Sequence, residues 1–512
     1  IEPRKYQKDI YKTCKHHNCL VVLPTGLGKT LTAVMLSIER LCQHPGSKVL
    51  LVAPTRPLAE QHLKTFKEHL PDLFASLQLF TGKTKPKKRQ ELWRKNDIIF
   101  STPQCINNDL QKERYSLKNT SLLIEDECHR CVKNYSYTKI AEKYLLQAEN
   151  KRIMGLTASP GSKRKKLKNI CQNLAIEAIE HRTRDSDDVK EYIQEREFEV
   201  IKVGFPKKFK EIKKSLKKIY DKKVDELRNR KLLFGPPSKK NLLQVQKKVM
   251  AKISQGNKHY NFLAGASATA MAIKLHHCME LLETQTLKSL KSYMGKLFTE
   301  AKNKKSKSVQ QLVKRDAFKE AYGKLMKLIG HGEEHPKVEE TKKLIEKEKE
   351  ENSKFMIFCQ IRDTATKINE EINKIKGINS EVFVGQAKKG KGKNKTGLSQ
   401  KEQQQLIQEF SDGKTNVLVS TSIGEEGLDI PEVSAVIFYE PIPSAIRQIQ
   451  RAGRTARMEE GKLFILLTKG TRDEGYYWSA FHKKKKMHKA LGKIKEQLEN
   501  KDFSEEKQKT LE

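Results

Sequence analysis

A short apolar run, Cys19-Leu20-Val21-Val22-Leu23, leads into Pro24-Thr25-Gly26-Leu27-Gly28-Lys29-Thr30, and residues 31–41 then carry helical spacing. No other stretch of the 512 residues restricts the fold so tightly. The run reads as a buried strand. Strand, glycine turn, Gly-Lys-Thr and helix is the layout of a phosphate-binding loop. Thr25, Gly26 and Gly28 let backbone N–H groups close around a triphosphate, and the helix N-terminus adds a favourable dipole. Lys29 reaches the outer phosphates in such a loop, and the Thr30 hydroxyl holds Mg²⁺. Leu23 stands where the usual G-x-x-x-x-G-K-[ST] pattern has its first glycine.

A second element is needed to complete a nucleotide site, and Asp126-Glu127-Cys128-His129 supplies it. It ends the apolar strand Leu122-Leu123-Ile124. A carboxylate at the tip of a neighbouring parallel strand is where the Mg²⁺ partner of a phosphate loop belongs. Asp126 is the expected metal holder and Glu127 the expected general base, polarising the water that attacks the γ-phosphate. A solvated acidic turn explains two consecutive acids at a buried strand end less well. ATP and Mg²⁺ are therefore the expected ligands.

Charge brings in a second partner. The chain carries 102 Lys+Arg against 63 Asp+Glu, a formal net charge of +39. Such an excess points to a polyanion, with nucleic acid the first candidate, although abundant lysine usage accounts for it equally well. The nine cysteines form no framework. Cys128-His129-Arg130-Cys131 has no second Cys/His pair at metal spacing, so the thiols read as free, in a reducing compartment. No apolar run approaches membrane-spanning length, no signal peptide is visible, and no membrane partner is expected.

Residues 1 to about 203 alternate strand and helix patterns, with strands expected at 19–23, 48–53, 77–80, 97–101, 121–126 and 152–157. Helices between them argue a parallel sheet covered on both faces. Residues 204–335 change character, becoming lysine-rich and helical, with 264–283 the most apolar helix. Alternation returns over 336–490, with strands at 354–359, 381–384, 416–420, 435–439 and 462–467. The expected fold is α/β: two RecA-like parallel-sheet domains, 1–203 and 336–490, around a basic helical insertion. Residues 388–395 read as a basic loop without periodicity, and 491–512 as a charged tail, frayed or disordered.

Further motifs fall into order along both halves. Pro3-Arg4-Lys5-Tyr6-Gln7 precedes the phosphate loop. Ala53-Pro54-Thr55-Arg56-Pro57-Leu58, Ser101-Thr102-Pro103-Gln104 and Thr157-Ala158-Ser159 each end a strand of the first domain. The second domain carries Ser420-Thr421-Ser422-Ile423-Gly424-Glu425-Glu426-Gly427-Leu428-Asp429 and Gln450-Arg451-Ala452-Gly453-Arg454-Thr455-Ala456-Arg457. This ordered set resembles the superfamily 2 helicases over nearly the whole chain. Met271-Ala272-Ile273-Lys274-Leu275-His276-His277-Cys278-Met279-Glu280 in the insertion and Phe438-Tyr439-Glu440-Pro441-Ile442-Pro443 in the second domain are similar to the archaeal Hef helicase and its eukaryotic relative FANCM. Asp126-Glu127-Cys128-His129 is also the spelling of RIG-I-like RNA sensors, which share the inserted-helix layout. Ala456 stands where many relatives have glycine, with both flanking arginines retained.

Roles follow from chemistry where it suffices. Arg454 and Arg457, with Gln450, suit charge neutralisation at the γ-phosphate across an interdomain cleft; a nucleic-acid contact is the alternative. Gly427 and Asp429 would line the ribose and phosphate side. The resemblance implies that the Gln7 amide reads the adenine edge. Thr55, Arg56, Gly82, Thr102, Gln104, Thr421 and Ser422 can grip phosphates without reading bases. Each Ser or Thr alone is as consistent with a helix cap, and recurrence on both domains favours contact. Thr157 and Ser159 would couple hydrolysis to domain movement. His276-His277 reads as packing or a phosphate contact, because adjacent helix residues point apart. Trp93 and Trp478 are isolated, and core burial is expected of both.

The implied function is an ATP-dependent DNA helicase or translocase acting on forked or branched DNA in repair. The resemblance implies 3′→5′ polarity and an archaeal cytoplasmic, nucleoid-associated or eukaryotic nuclear setting. Hef proteins often carry a C-terminal XPF-type nuclease, and no Glu-Arg-Lys-x-x-x-Asp signature occurs here, so a nuclease would be separate or missing. The rivals are a double-stranded-RNA-dependent ATPase sensor, a P-loop ATPase independent of nucleic acid, and a scaffold with a dead ATP site. The intact set Lys29, Asp126, Glu127, Arg454 and Arg457 argues against the last. The residues leave the oligomeric state open.

Overall fold

The computed structural model describes residues 2–500 except 72, 193–195, 257–258, 386–396, 422–429, 445–446, 448–450 and 452–460. Thirteen strands occur among these residues: β1 (Cys19–Val22), β2 (Lys48–Val52), β3 (Leu77–Phe80), β4 (Ile98–Ser101), β5 (Thr120–Asp126), β6 (Ile153–Thr157), β7 (Ala178–His181), β8 (Arg196–Val203), β9 (Phe355–Phe358), β10 (Ser380–Phe383), β11 (Val417–Ser420), β12 (Ala435–Phe438) and β13 (Gly461–Thr468). They form a seven-stranded sheet, β3-β4-β2-β5-β6-β1-β7, and a six-stranded sheet, β10-β11-β9-β12-β13-β8. Every pairing is parallel. Central strands such as Cys19–Val22 and Phe355–Phe358 are buried along their whole length, as parallel sheets with two covered faces require. The eleven strands expected from the sequence all form, within a residue or two of their expected ends.

Two strands were not expected. β7, Ala-Ile-Glu-His, buries only Ile179 and ends in two polar residues, so no apolar run marks it. β8, Arg-Glu-Phe-Glu-Val-Ile-Lys-Val, alternates charge with apolar residues and forms an edge. It pairs with β13 over eight positions, Arg196↔Gly461 to Thr468↔Val203. The boundary expected at 203 is therefore wrong: β8 completes the second sheet, and the chain leaves the first sheet after β7.

The insertion contains helices Lys207–Asn229, Lys239–Ser254, Tyr260–Thr284, Leu287–Lys302, Lys307–Val313 and Asp316–Gly330. They bury a separate core, including Phe209, Leu216, Leu275, Leu290 and Phe318. Its lysines are spaced so that Ile212, Leu216, Ile219 and Leu227 line one face of the first helix while the cations face out. His276 is buried beside Tyr220, and the His277 ring packs on Tyr293, which resolves the pair as packing.

The chain end differs most from expectation. Arg472–Glu499 is one 28-residue helix. Its N-terminal turn is held by the second domain, where the Thr468 N–H donates to Asp473 (3.0 Å). Met487, Leu491 and Ile494 are buried in the first domain's core with Leu20, Leu167 and Ile179. The helix thus ties both domains together, and the division at 490 cuts through a packed element as far as Glu499; the rest of the expected tail, 501–512, lies outside the described residues.

Candidate functional site

β1, β6 and β5 lie side by side, so their C-terminal tips bring Leu23, Thr157 and Asp126 into a row. The two motif strands are thus not direct neighbours; β6 lies between them. The Leu23 N–H donates to the Thr157 carbonyl (3.1 Å), which anchors the entrance of the loop. Gly26 (φ 85°) and Gly28 (φ 69°) adopt left-handed backbone, which favours glycine. Gly28 also has no room for a side chain, because a Cβ there would lie 2.2 Å from Gln7 Nε2.

Gln7 is the buried prop of this loop. Its Nε2 donates to the Leu27 carbonyl (3.3 Å), its Oε1 accepts from the Arg4 N–H (2.9 Å), and Tyr6 OH donates to the same Leu27 carbonyl (3.0 Å). Lys29 Nζ donates to the Leu23 carbonyl (3.1 Å), spanning the loop it terminates. Thr30 opens the helix Lys29–Gln43.

His62, which no sequence motif singled out, joins the two halves. Its Nδ1 lies 3.4 Å from Thr30 Oγ1 and its Nε2 2.9 Å from Asp126 Oδ2. It projects from helix Arg56–His69, so only the packing of that helix against the sheet reveals it. Burial pushes the Asp126 carboxyl up, but the His62 bond and the nearby Lys29 charge outweigh this and hold it below the usual range. Thr30 and Asp126 both contact the His62 ring, and a hydroxyl and a carboxylate are hard oxygen donors suited to Mg²⁺, so these residue types fit the expected ion.

Glu127 sits in left-handed backbone (φ 51°), and its N–H donates to Asp126 Oδ1 (2.9 Å). Its Oε2 accepts from Thr157 Oγ1 (3.2 Å) and lies 3.0 Å from His129 Nδ1. Thr157 Oγ1 also accepts from the Ser159 N–H (3.1 Å), and Ser159 Oγ donates to Met487 Sδ (3.0 Å). A continuous path therefore runs from Glu127 to the C-terminal helix. Glu125, two residues before Glu127 and on β5, points into the core. Burial pushes its carboxyl up to about 8. Cys128 and Cys131 are buried free thiols, and no metal-binding cluster of His, Cys and acid occurs among the described residues.

The proposed nucleic-acid contacts lie at strand tips on both sheets. Thr55 and Thr102 stand at helix N-caps, yet neither side chain caps its helix. The Thr55 hydroxyl is buried with no hydrogen-bond partner. Capping therefore does not explain these two. Arg56 Nε donates to Glu60 (2.7 Å). Gly82 is exposed with open space around its Cα, so nothing local requires glycine. Gln104 is exposed, its Nε2 3.4 Å from Tyr135 OH. The Thr421 N–H donates to the Phe383 carbonyl (3.2 Å). Ser422, Gly427, Asp429, Gln450, Arg454 and Arg457 lie outside the described residues. Arg451 is buried, its guanidinium 4.9 Å from the Phe358 ring centroid.

The tryptophans part ways. Trp93 is 4 % exposed and stacks on Tyr115 at 4.2 Å, as expected. Trp478 is 54 % exposed on the C-terminal helix, which corrects the expectation of burial.

A phosphate loop at the strand tips of one parallel sheet, followed by a second such sheet, is the layout of a two-domain nucleoside-triphosphate-binding motor. Comparison with known proteins agrees. Residues 4–167 match the family described as DEAD/DEAH box helicase, 336–459 the helicase conserved C-terminal domain, and 208–332 "Putative ATP-dependent RNA helicase, helical bundle". The chain is 42 % identical to the helicase domain of Pyrococcus furiosus Hef, covering 93 % of this chain and 98 % of that one with a TM-score of 0.70. It is 39 % identical over 498 residues to "Putative ATP-dependent RNA helicase MJ1505" of Methanocaldococcus jannaschii, covering 96 % of this chain and 61 % of that protein. It is 32 % identical to the ATP-dependent DNA helicase mph1 of Neurospora crassa (92 % and 41 % covered) and to the mouse Fanconi anemia group M protein homolog (95 % and 26 %). The chain belongs to the Hef/FANCM-type family of superfamily 2 helicases. It spans 61 %, 41 % and 26 % of the lengths of these three curated relatives. No helix among the described residues is long and apolar enough to cross a membrane.

Proposed function

We propose that the chain is an ATP-dependent DNA translocase that separates or branch-migrates forked and branched DNA, moving 3′→5′. The observation that carries the ATPase half is the row Lys29, Thr30, Asp126, Glu127 and Thr157 along three adjacent strand tips. Glu127 takes the proton of the attacking water; Thr157 and His129 hold its carboxylate in place. Lys29 leaves the Leu23 carbonyl to meet the outer phosphates. Thr30 and Asp126 would hold Mg²⁺, which would neutralise charge on the nucleotide's phosphates when bound. Gln7 meets the adenine edge. Arg454 and Arg457, with Gln450, neutralise developing charge from the second domain, and Gly427 and Asp429 line the ribose side.

Hydrolysis is coupled to movement through Thr157 and Ser159. Ser159 contacts Met487, on a helix anchored in both domains, so a change at the γ-phosphate reaches the element that spans them. Thr55, Arg56, Gly82, Thr102, Gln104, Thr421 and Ser422 grip the backbone of one strand, and alternating grip advances the chain. The DNA assignment is supported by the names of the mph1 relatives. The name of the M. jannaschii relative and the description of the helical-bundle family support a second reading, a duplex-RNA-dependent ATPase.

ATPase and unwinding measured side by side on forks, four-way junctions, plain duplex DNA and duplex RNA separate the two. Strongest stimulation by forks, with strand separation, is expected. Stimulation by duplex RNA alone without unwinding would move the chain to the second reading, and ATPase indifferent to any nucleic acid would remove both.

A further inference from the structure

The C-terminal helix has one buried stripe, Asp473, Ala480, Met487, Ala490, Leu491 and Ile494. Its opposite side is exposed and of unusual composition. Trp478 and Phe481, 54 % and 49 % exposed, lie one turn apart with ring centroids 5.8 Å from each other, and His482 follows at 6.3 Å from Trp478. Lys485, Lys486 and Lys489 continue the same side, all exposed and, among the described residues, paired with no carboxylate. Of the neighbouring side chains, Tyr476 OH donates to Glu280 of the insertion (2.8 Å), and Tyr477 packs on the second domain's core with its ring edge-on to Trp478 at 5.3 Å.

Two large aromatic faces left in water are costly unless something covers them. The lysines select the occupant, because an aromatic pair flanked by free ammonium groups matches a polyanion carrying flat rings. Unpaired nucleic acid has both features; a duplex hides its base faces. Position agrees. The helix begins four residues beyond the tip of β13, on the strand-tip edge of the second sheet that also carries Thr421 after β11.

We propose that Trp478 and Phe481 form a stacking platform for unpaired bases of a single strand, with Lys485, Lys486 and Lys489 holding its phosphates. The inference rests on the reading of the chain as a nucleic-acid motor and adds to it a contact outside the helicase motifs.

Trp478 is its own reporter once buried Trp93 is replaced. In Trp93→Phe protein without nucleotide, titration with a fluorescein-labelled twenty-mer of thymidine follows binding by anisotropy and stacking by tryptophan emission. Emission is expected to fall in step with binding, and the twenty-mer of uridine shows whether RNA serves equally. Blunt duplex of equal length should bind with little quenching. Trp478→Ala and Phe481→Ala should each weaken single-strand binding by roughly 5- to 150-fold, the range for losing one stacked base. ATPase without nucleic acid should not change. Binding without quenching, with both alanine variants unaffected, overturns the platform and leaves the face to another partner such as an acidic protein segment. Equal quenching by blunt duplex overturns it too. Failure of the parent protein to bind any single strand, fork or duplex removes the motor reading and this inference together.

Discussion

Asp126 and Glu127 are adjacent in sequence, yet their environments suit them to different tasks. Asp126 is held ionised by His62 and Lys29 against the cost of burial, which suits a metal holder. Glu127 is turned by its left-handed backbone toward Thr157 and His129. Glu127→Gln keeps the shape and loses the proton acceptor. Nucleotide binding should persist while single-turnover hydrolysis falls ~10²–10⁴-fold; near-normal turnover would assign the base elsewhere. Glu125 poses a different test. Its carboxyl sits at about 8 in the folded chain against an ordinary 4.5. The folded state therefore holds a proton that the unfolded state has released, and stability is lost as pH rises from 4.5 to 8. The slope approaches about 1.4 kcal/mol per pH unit. Glu125→Gln cannot ionise, so its melting temperature should exceed that of the parent by a margin that widens between pH 5 and pH 8. A margin constant across that window would show that the carboxyl is not the source.

Among the elements, the C-terminal helix departs furthest from its expected role. Composition alone suggested a fraying tail from residue 491, since the stretch beyond it is highly charged. The buried stripe emerges only when the helix is laid across the first domain. His488 of this helix faces His181 of β7, with Nδ1 and Nε2 3.3 Å apart. Burial, then the proximity of His488, pushes His181 down to about 4 from an ordinary 6.5, and burial also lowers His488. Only one proton fits between the rings. The stability this pair contributes is complete above pH 6.5 and is lost as pH falls toward 4, because the unfolded chain then binds more protons. Hydrogen exchange should show residues 484–499 opening earlier than the rest of the chain over that range. His488→Asn should flatten the dependence; an unchanged pH profile would exclude the pair as its origin.

At the scale of the whole molecule, the insertion is fastened to the second domain. Lys337, fully buried, donates to the Thr284 carbonyl (2.9 Å) and pairs with Asp473 (2.8 Å). Thr364 Oγ1 donates to Gln285 Oε1 (2.8 Å), and the Arg472 N–H donates to Glu283 (3.3 Å). A buried, bonded charge at such an elbow resists separation, since exposing one partner leaves the other unpaired. The basic helices should therefore travel with the second domain and meet a second duplex arm at a set angle. Joining Val203 to Pro336 by a short linker keeps β8 in its sheet. That variant should melt at lower temperature, keep some single-strand-stimulated ATPase, and lose the preference for forks over linear DNA at one salt concentration. An unchanged fork-to-linear affinity ratio in the folded variant would reduce the insertion to a generic basic clamp.

Local signals carried much of this far. Apolar runs ending in Gly-Lys-Thr, Asp-Glu or Thr-Ala-Ser mark buried strands and their functional tips, because a strand covered on both faces leaves chemistry only at its end. The two sheets, the helical insertion and the phosphate loop were legible for that reason. Other features depended on which distant segments meet. β8 is an ordinary charged alternation until β13 accepts it. His62 is an ordinary helix residue until its ring meets Thr30 and Asp126. Trp478 looks like a core residue until the opposite side of its helix takes the buried place. Periodicity states that a helix or strand has two sides; only tertiary packing decides which side is covered, because the partner that removes it from water lies far along the chain.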